Sequence, residues 1–61
     1  MNYKKLPKYK VGDEVKFFYH YEDKIGLITE IYGDDKYLIK QISNKINYPV
    51  PLDKIYGKIQ K

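Results

Sequence analysis

The chain has 61 residues, with 12 lysines, no arginine, eight acidic residues, one histidine, no cysteine and a formal net charge of +4. That length allows one small domain, which buries only ~60% of the surface its unfolded form exposes. Without cysteine there is no disulfide framework and no cysteine-ligated metal, so aliphatic and aromatic side chains must supply the core.

β-branched and aromatic residues dominate, and alanine and tryptophan are absent, a balance that favours strands. The bias to Lys, Ile, Tyr and Asn is what AT-rich coding produces and suits a low-GC bacterium, or a phage or plasmid within one. No apolar run approaches the ~20 residues of a membrane span. The basic start, MNYKKLPKYK, has no apolar stretch of the kind a signal peptide carries. A soluble, cytoplasmic protein is therefore expected. The charge is uneven. Lys4, Lys5, Lys8 and Lys10 carry the whole excess, because eight lysines and eight acids cancel from Val11 onward.

In chain order, residues 1–10 read as a basic arm with Tyr3, Leu6, Pro7 and Tyr9 interleaved. Pro7 disfavours helix and pushes Leu6 towards an extended conformation. Two readings of the arm stand. Lysines near phosphates release counterions and tyrosines stack on bases; alternatively, the arm is solvated and Leu6 or Tyr9 tucks against the domain.

Val11-Gly12-Asp13-Glu14 is a turn leading into the first strand, where glycine and aspartate supply turn chemistry. Alternation then puts Val15, Phe17, Tyr19 and Tyr21 on one face and Lys16, Phe18 and His20 on the other. Glu22-Asp23-Lys24 reads as the polar connection. The second strand, Ile25 to Tyr32, is apolar on both parities, as in a strand that bends and changes the sheet it serves. Gly26 marks a bulge, a bend or a close backbone approach. Gly33-Asp34-Asp35 is a strong hairpin signal.

Lys36 to Ile42 forms the third strand, and Ser43-Asn44-Lys45 the next turn. In the fourth strand, Ile46 to Val50, Pro49 lacks a ladder donor and places the strand at an edge or interrupts it there. Pro51 to Lys54 suits one 3₁₀ turn with Leu52 and Ile55 dropping onto the core. Ile55 to Ile59 closes the chain as the fifth strand.

These elements predict an all-β, five-stranded SH3-like barrel over residues 11–61, with a short 3₁₀ turn before the last strand. KVGDEV followed by KIGLITEI resembles the opening of KOW and Tudor-type domains, in which a G-D-x-V strand precedes a K-x-G-x-I-x-x-I strand; Gly26 stands where those families keep glycine. The aromatic run FFYHYEDK departs from the glycine-containing loop usual in KOW sequences. The resemblance implies a binding module. Tudor-like domains cage methylated cations with aromatic rings by cation–π attraction, and the matching candidates here are Tyr19, Tyr21, Tyr32 and Tyr37. The bland alternative is a core that uses aromatics as bulk, with hydroxyls at its rim.

The acidic pairs Asp13-Glu14, Glu22-Asp23 and Asp34-Asp35 read as solvated turns, since none has the ligand spacing of a calcium loop. His20 is the only histidine, too few for a histidine metal site or a Ser-His-Asp triad, and no Gly-rich phosphate loop is present. No cofactor and no enzymatic activity are expected. The leading expectation is weak, sequence-tolerant contact with nucleic acid, or with a nucleic-acid-associated machine. Lys4, Lys5, Lys8 and Lys10 of the arm would carry it, together with the aromatic group Phe18, Tyr19, His20, Tyr21, Tyr32 and Tyr37. Lysine without arginine argues against bidentate base readout. The rival is a protein–protein adaptor or inhibitor that docks on a host protein through the Tyr19/Tyr21 end or a strand edge. The expected state is a monomer or a weak homodimer.

Overall fold

The computed structural model describes residues 8–33 and 35–59. Five strands are present: β1 Glu14–Tyr19, β2 Glu22–Tyr32, β3 Lys36–Gln41, β4 Asn47–Pro51 and β5 Ile55–Lys58, with one 3₁₀ turn, Leu52–Lys54, before β5. All pairings are antiparallel and the order is β4-β3-β2-β1-β5. The expected all-β class, strand count and one-turn helix are present. The hydrogen-bonded sheet is a single one with two edges, β4 and β5, and is not closed into a barrel. Among the described residues no helix is long and apolar enough to cross a membrane.

The core lies on one face. Val15 and Phe17 of β1, Ile28 of β2, Tyr37 and Ile39 of β3, Val50 of β4, Ile55 of β5 and Tyr9 ahead of β1 are buried, and Tyr19, Ile31, Tyr48 and Leu52 pack against them. Period-two alternation explains most of this set. β2 needs a further cause, because Ile28 and Ile31 have opposite parity yet both serve the core. The register shifts between Ile28 and Glu30, leaving Thr29 as the extra residue of a bulge, with its hydroxyl donating to the Leu38 carbonyl at 3.2 Å. One inserted residue flips every later side chain to the other face. This bulge accounts for a strand apolar on both parities, and it divides β2. Residues before it pair with β1, whereas Glu30 to Tyr32 pair only with β3.

Gly26 is a close approach, not the bend. A Cβ there would press on the Lys40 carbonyl oxygen and sit 2.8 Å from Ile39 Cγ2. The Lys10–Asp13 turn is tied to β2 at the point where β1 leaves it. Gly12 N–H donates to the Ile28 carbonyl at 2.8 Å and Ile28 N–H to the Asp13 carbonyl at 2.9 Å, while Asp13 Oδ2 accepts from Lys10 N–H at 2.9 Å.

The expected connection Glu22-Asp23-Lys24 is strand instead. The turn is the two residues His20-Tyr21, between paired Tyr19 and Glu22. Burial of Val15 and Phe17 fixes the register of this hairpin, so its end projects from the core and carries polar strand residues. Elsewhere the boundaries that differ from the sequence reading move by one residue, as where β4 starts at Asn47 and β5 ends at Lys58.

Of the two readings of the arm, the one in which Tyr9 tucks against the domain holds at its described end. Tyr9 is buried against Tyr37, ring centroids 5.7 Å apart and near perpendicular. The Tyr37 hydroxyl accepts from Lys8 N–H at 3.1 Å and Tyr9 N–H at 3.4 Å. The folded unit therefore begins before Val11. Of the arm lysines, Lys4 and Lys5 lie outside the described residues, and Lys8 and Lys10 are exposed.

Candidate aromatic site at the first hairpin

β1 carries Tyr19 to the end of the core face, and the turn folds His20 back over it, with ring centroids 4.4 Å apart. Tyr48 arrives from β4 at 4.8 Å from Tyr19 and 6.1 Å from His20. Phe17 lies deeper, 6.4 Å from Tyr48, and joins the cluster to the buried core. Tyr48 is also held from outside, because Asn44 Nδ2 donates to its hydroxyl at 3.3 Å. The tilted Tyr19–Tyr48 pair at 4.8 Å and the near-perpendicular His20–Tyr48 pair at 6.1 Å fall within the range that aromatic pairs favour, and Tyr19–His20 at 4.4 Å sits at its lower edge.

Lys24 faces the same cluster. Its ammonium is 5.5 Å from the Tyr48 ring centroid and 3.4 Å from Glu22 Oε1. Its side chain is mostly covered, so the aliphatic stem lies over apolar surface while the head keeps a charge partner. Tyr21, next to His20, is 96% exposed.

The sequence candidates do not form one constellation. Tyr19, His20 and Tyr21 meet at the first hairpin. Tyr32 is at the opposite end of β2, where a hydrogen bond to Glu30 holds its phenol above the ordinary value, helped by desolvation and by the Glu30 charge. Tyr37 has no exposed surface and cannot offer a ring to a ligand. The four-tyrosine cage suggested by resemblance is thus not assembled: one member is core and another faces the far end.

Phe18 points to the opposite face of β1, with the Lys54 ammonium 5.9 Å from its ring. It lines a shallow groove of about 270 Å³ with Asp53, Lys54 and Tyr56. Tyr56 donates to Asp23 Oδ1 at 2.7 Å. That bond, with smaller contributions from desolvation and the Asp23 charge, raises the Tyr56 phenol above its ordinary value. Lys16 lies 5.8 Å from the Tyr56 ring. Beyond it a second depression of about 440 Å³ runs past Ile25 and Ile42.

Sequence reasoning missed Tyr48, Lys24 and Tyr56. Tyr48 shares a strand face with Val50 and carries no mark beyond its ring, Lys24 stands in the stretch read as a connection, and Tyr56 sits at a register shift in the β1–β5 pairing. Only Tyr48 left a usable signal, an aromatic residue on a predicted edge strand. That edge is poorly suited to adding a partner strand. Tyr48 and Val50 face β3, so Asn47, Pro49 and Pro51 face outward, and the two prolines have no N–H to offer.

Among the described residues no group of three or more His, Cys, Asp or Glu could hold a metal ion. What the hairpin end can do is present flat aromatic faces beside one ammonium. No family model, no curated protein and no solved structure matches this chain.

Proposed function

We propose that the chain is a non-enzymatic binding module of the SH3-like type that contacts nucleic acid, weakly and with little sequence preference. The observation that carries this reading is the preassembled ring group Tyr19, His20 and Tyr48 beside Lys24 and the exposed Tyr21. Aromatic faces stack on any base, and lysines supply sequence-independent attraction to phosphate. The SH3-like assignment draws support from the strand order, the bulged and divided β2, and the 3₁₀ turn before β5.

The arm lysines supply electrostatic attraction from the other end of β2, where Lys8 and Lys10 are anchored to the domain through Tyr9 and Asp13. Replacing Lys4, Lys5, Lys8 and Lys10 with Gln should reduce the slope of log affinity against log salt by about four phosphates' worth. Fluorescence anisotropy across a salt series reads this, and an unchanged slope removes the arm from the model.

A second reading rests on the outer face of the sheet. Ile25 and Leu27 of β2 are exposed there, with Ile42 of the β3–β4 turn beside Ile25, a composition suited to a protein partner. Charge changes in the arm would leave such a contact intact, whereas Ile25→Asp would abolish it.

A further inference from the structure

We infer that the His20-Tyr21 turn selects unpaired bases: a single-stranded nucleic acid stacks on Tyr21 and on the His20–Tyr19–Tyr48 rings, and a duplex does not. This rests on the nucleic-acid reading above and names the form of the ligand.

The first observation is backbone strain with no internal return. His20 and Tyr21 have φ of 52° and 63°, the signature of a two-residue type I′ turn, for which Asn-Gly is the favoured pair. Histidine is among the side chains that visit this region, but tyrosine is a poor occupant. A bulky residue in such a position is commonly offset by packing. Tyr21 is 96% exposed and enters no hydrogen bond, ion pair or ring contact with the described residues. Its ring therefore adds nothing to the fold that would balance its backbone. Strain of this kind gathers at binding sites.

The second observation is preorganisation. Beside the free ring, Tyr19, His20 and Tyr48 are fixed by one another, by Phe17 beneath and by Asn44. A base that reaches them meets side chains whose rotamer freedom is already restricted, which lowers the entropy cost of binding. Stacking needs an exposed base face. Inside a duplex both faces are covered by neighbouring pairs, so only single strands, loops and ends can use these rings. The chain has no arginine for bidentate reading of a duplex groove.

The test is fluorescence anisotropy at low salt on the full chain, using a labelled oligothymidylate and a labelled duplex of equal charge. The single strand should bind about tenfold tighter than the duplex. Tyr21→Gly should weaken single-strand binding about tenfold while raising the melting temperature by about 4–8 °C, and Tyr21→Phe should keep the affinity. Equal affinity for both forms, or an unchanged affinity in Tyr21→Gly, overturns the inference and leaves the nucleic-acid reading standing. No binding of either oligonucleotide by the wild-type chain overturns that reading, and this inference with it. A fall in melting temperature for Tyr21→Gly overturns the strain argument.

Discussion

The two hairpins that flank β2 solve the same problem with different residues. The β2–β3 turn uses Gly33 at φ 70°, where an added Cβ would meet no atom within 4 Å. The β1–β2 turn puts His20 and Tyr21 at φ 52° and 63°. Glycine reaches positive φ at no steric cost, whereas a tyrosine there is strained. The tyrosines differ in the same way. Tyr37, near the β2–β3 turn, has no exposed surface and anchors the chain ahead of β1, whereas Tyr21 is 96% exposed and anchors nothing among the described residues. One end of the molecule is built for stability, and the other ends in a side chain, Tyr21, that the packing of the described residues does not use.

The largest expected effect tests the stable end. Tyr37→Ala removes a fully buried ring and the acceptor for Lys8 and Tyr9 N–H, which should cost about 3–5 kcal/mol. A domain this small has little to spare, so amide NMR dispersion should collapse at room temperature. A Tyr37→Ala protein that kept its dispersed spectrum would make the two ends equivalent.

Next is the pair of turns. Gly33→Ala should destabilise by about 1–2 kcal/mol through backbone strain alone, because the space for the Cβ is open. Chemical denaturation of Gly33→Ala and Tyr21→Gly should give opposite signs. The same sign in both would erase the contrast between the turns.

The smallest effect concerns pH. Tyr56 has its phenol raised, first by the hydrogen bond to Asp23. A group whose folded pKa lies above its unfolded value stabilises the fold below the unfolded value. That contribution disappears as pH rises through the folded value. For tyrosine the window opens at about pH 10. Thermal melts should therefore fall above that pH, and Tyr56→Phe should flatten the fall; Tyr32, raised by Glu30, keeps a remainder. An alkaline profile identical to wild type in Tyr56→Phe would separate the phenol from stability.

Much of the candidate site was hidden for a specific reason. The run Phe17 to Tyr21 stands out as sequence, but its separation into core, rim and tip depends on where the strand stops. Glu22, Asp23 and Lys24 look like a turn because they are polar, yet they pair with Tyr19, Phe18 and Phe17. Tyr37 is a candidate only through the resemblance to Tudor-type cages; the inward register that buries it follows from β2 pairing. Tyr48 joined the site because β4 brings its ring to within 4.8 Å of Tyr19, a contact between residues far apart in the chain.

The all-β class, the five strands, the Gly33 turn, the edge position of the Pro49 strand and the 3₁₀ turn at Leu52–Lys54 are legible in the chain before any packing is known. Each follows from local rules: period-two alternation, positive φ at glycine, the missing donor of proline. Packing between strands settled what local rules left open: the Thr29 bulge, the close approach among the three roles open to Gly26, Tyr9 as an arm residue that packs on the core, the burial of Tyr37, and the meeting of Tyr19, His20, Tyr48 and Lys24. Those depend on register between strands, and a one-residue change of register moves every later side chain to the other face.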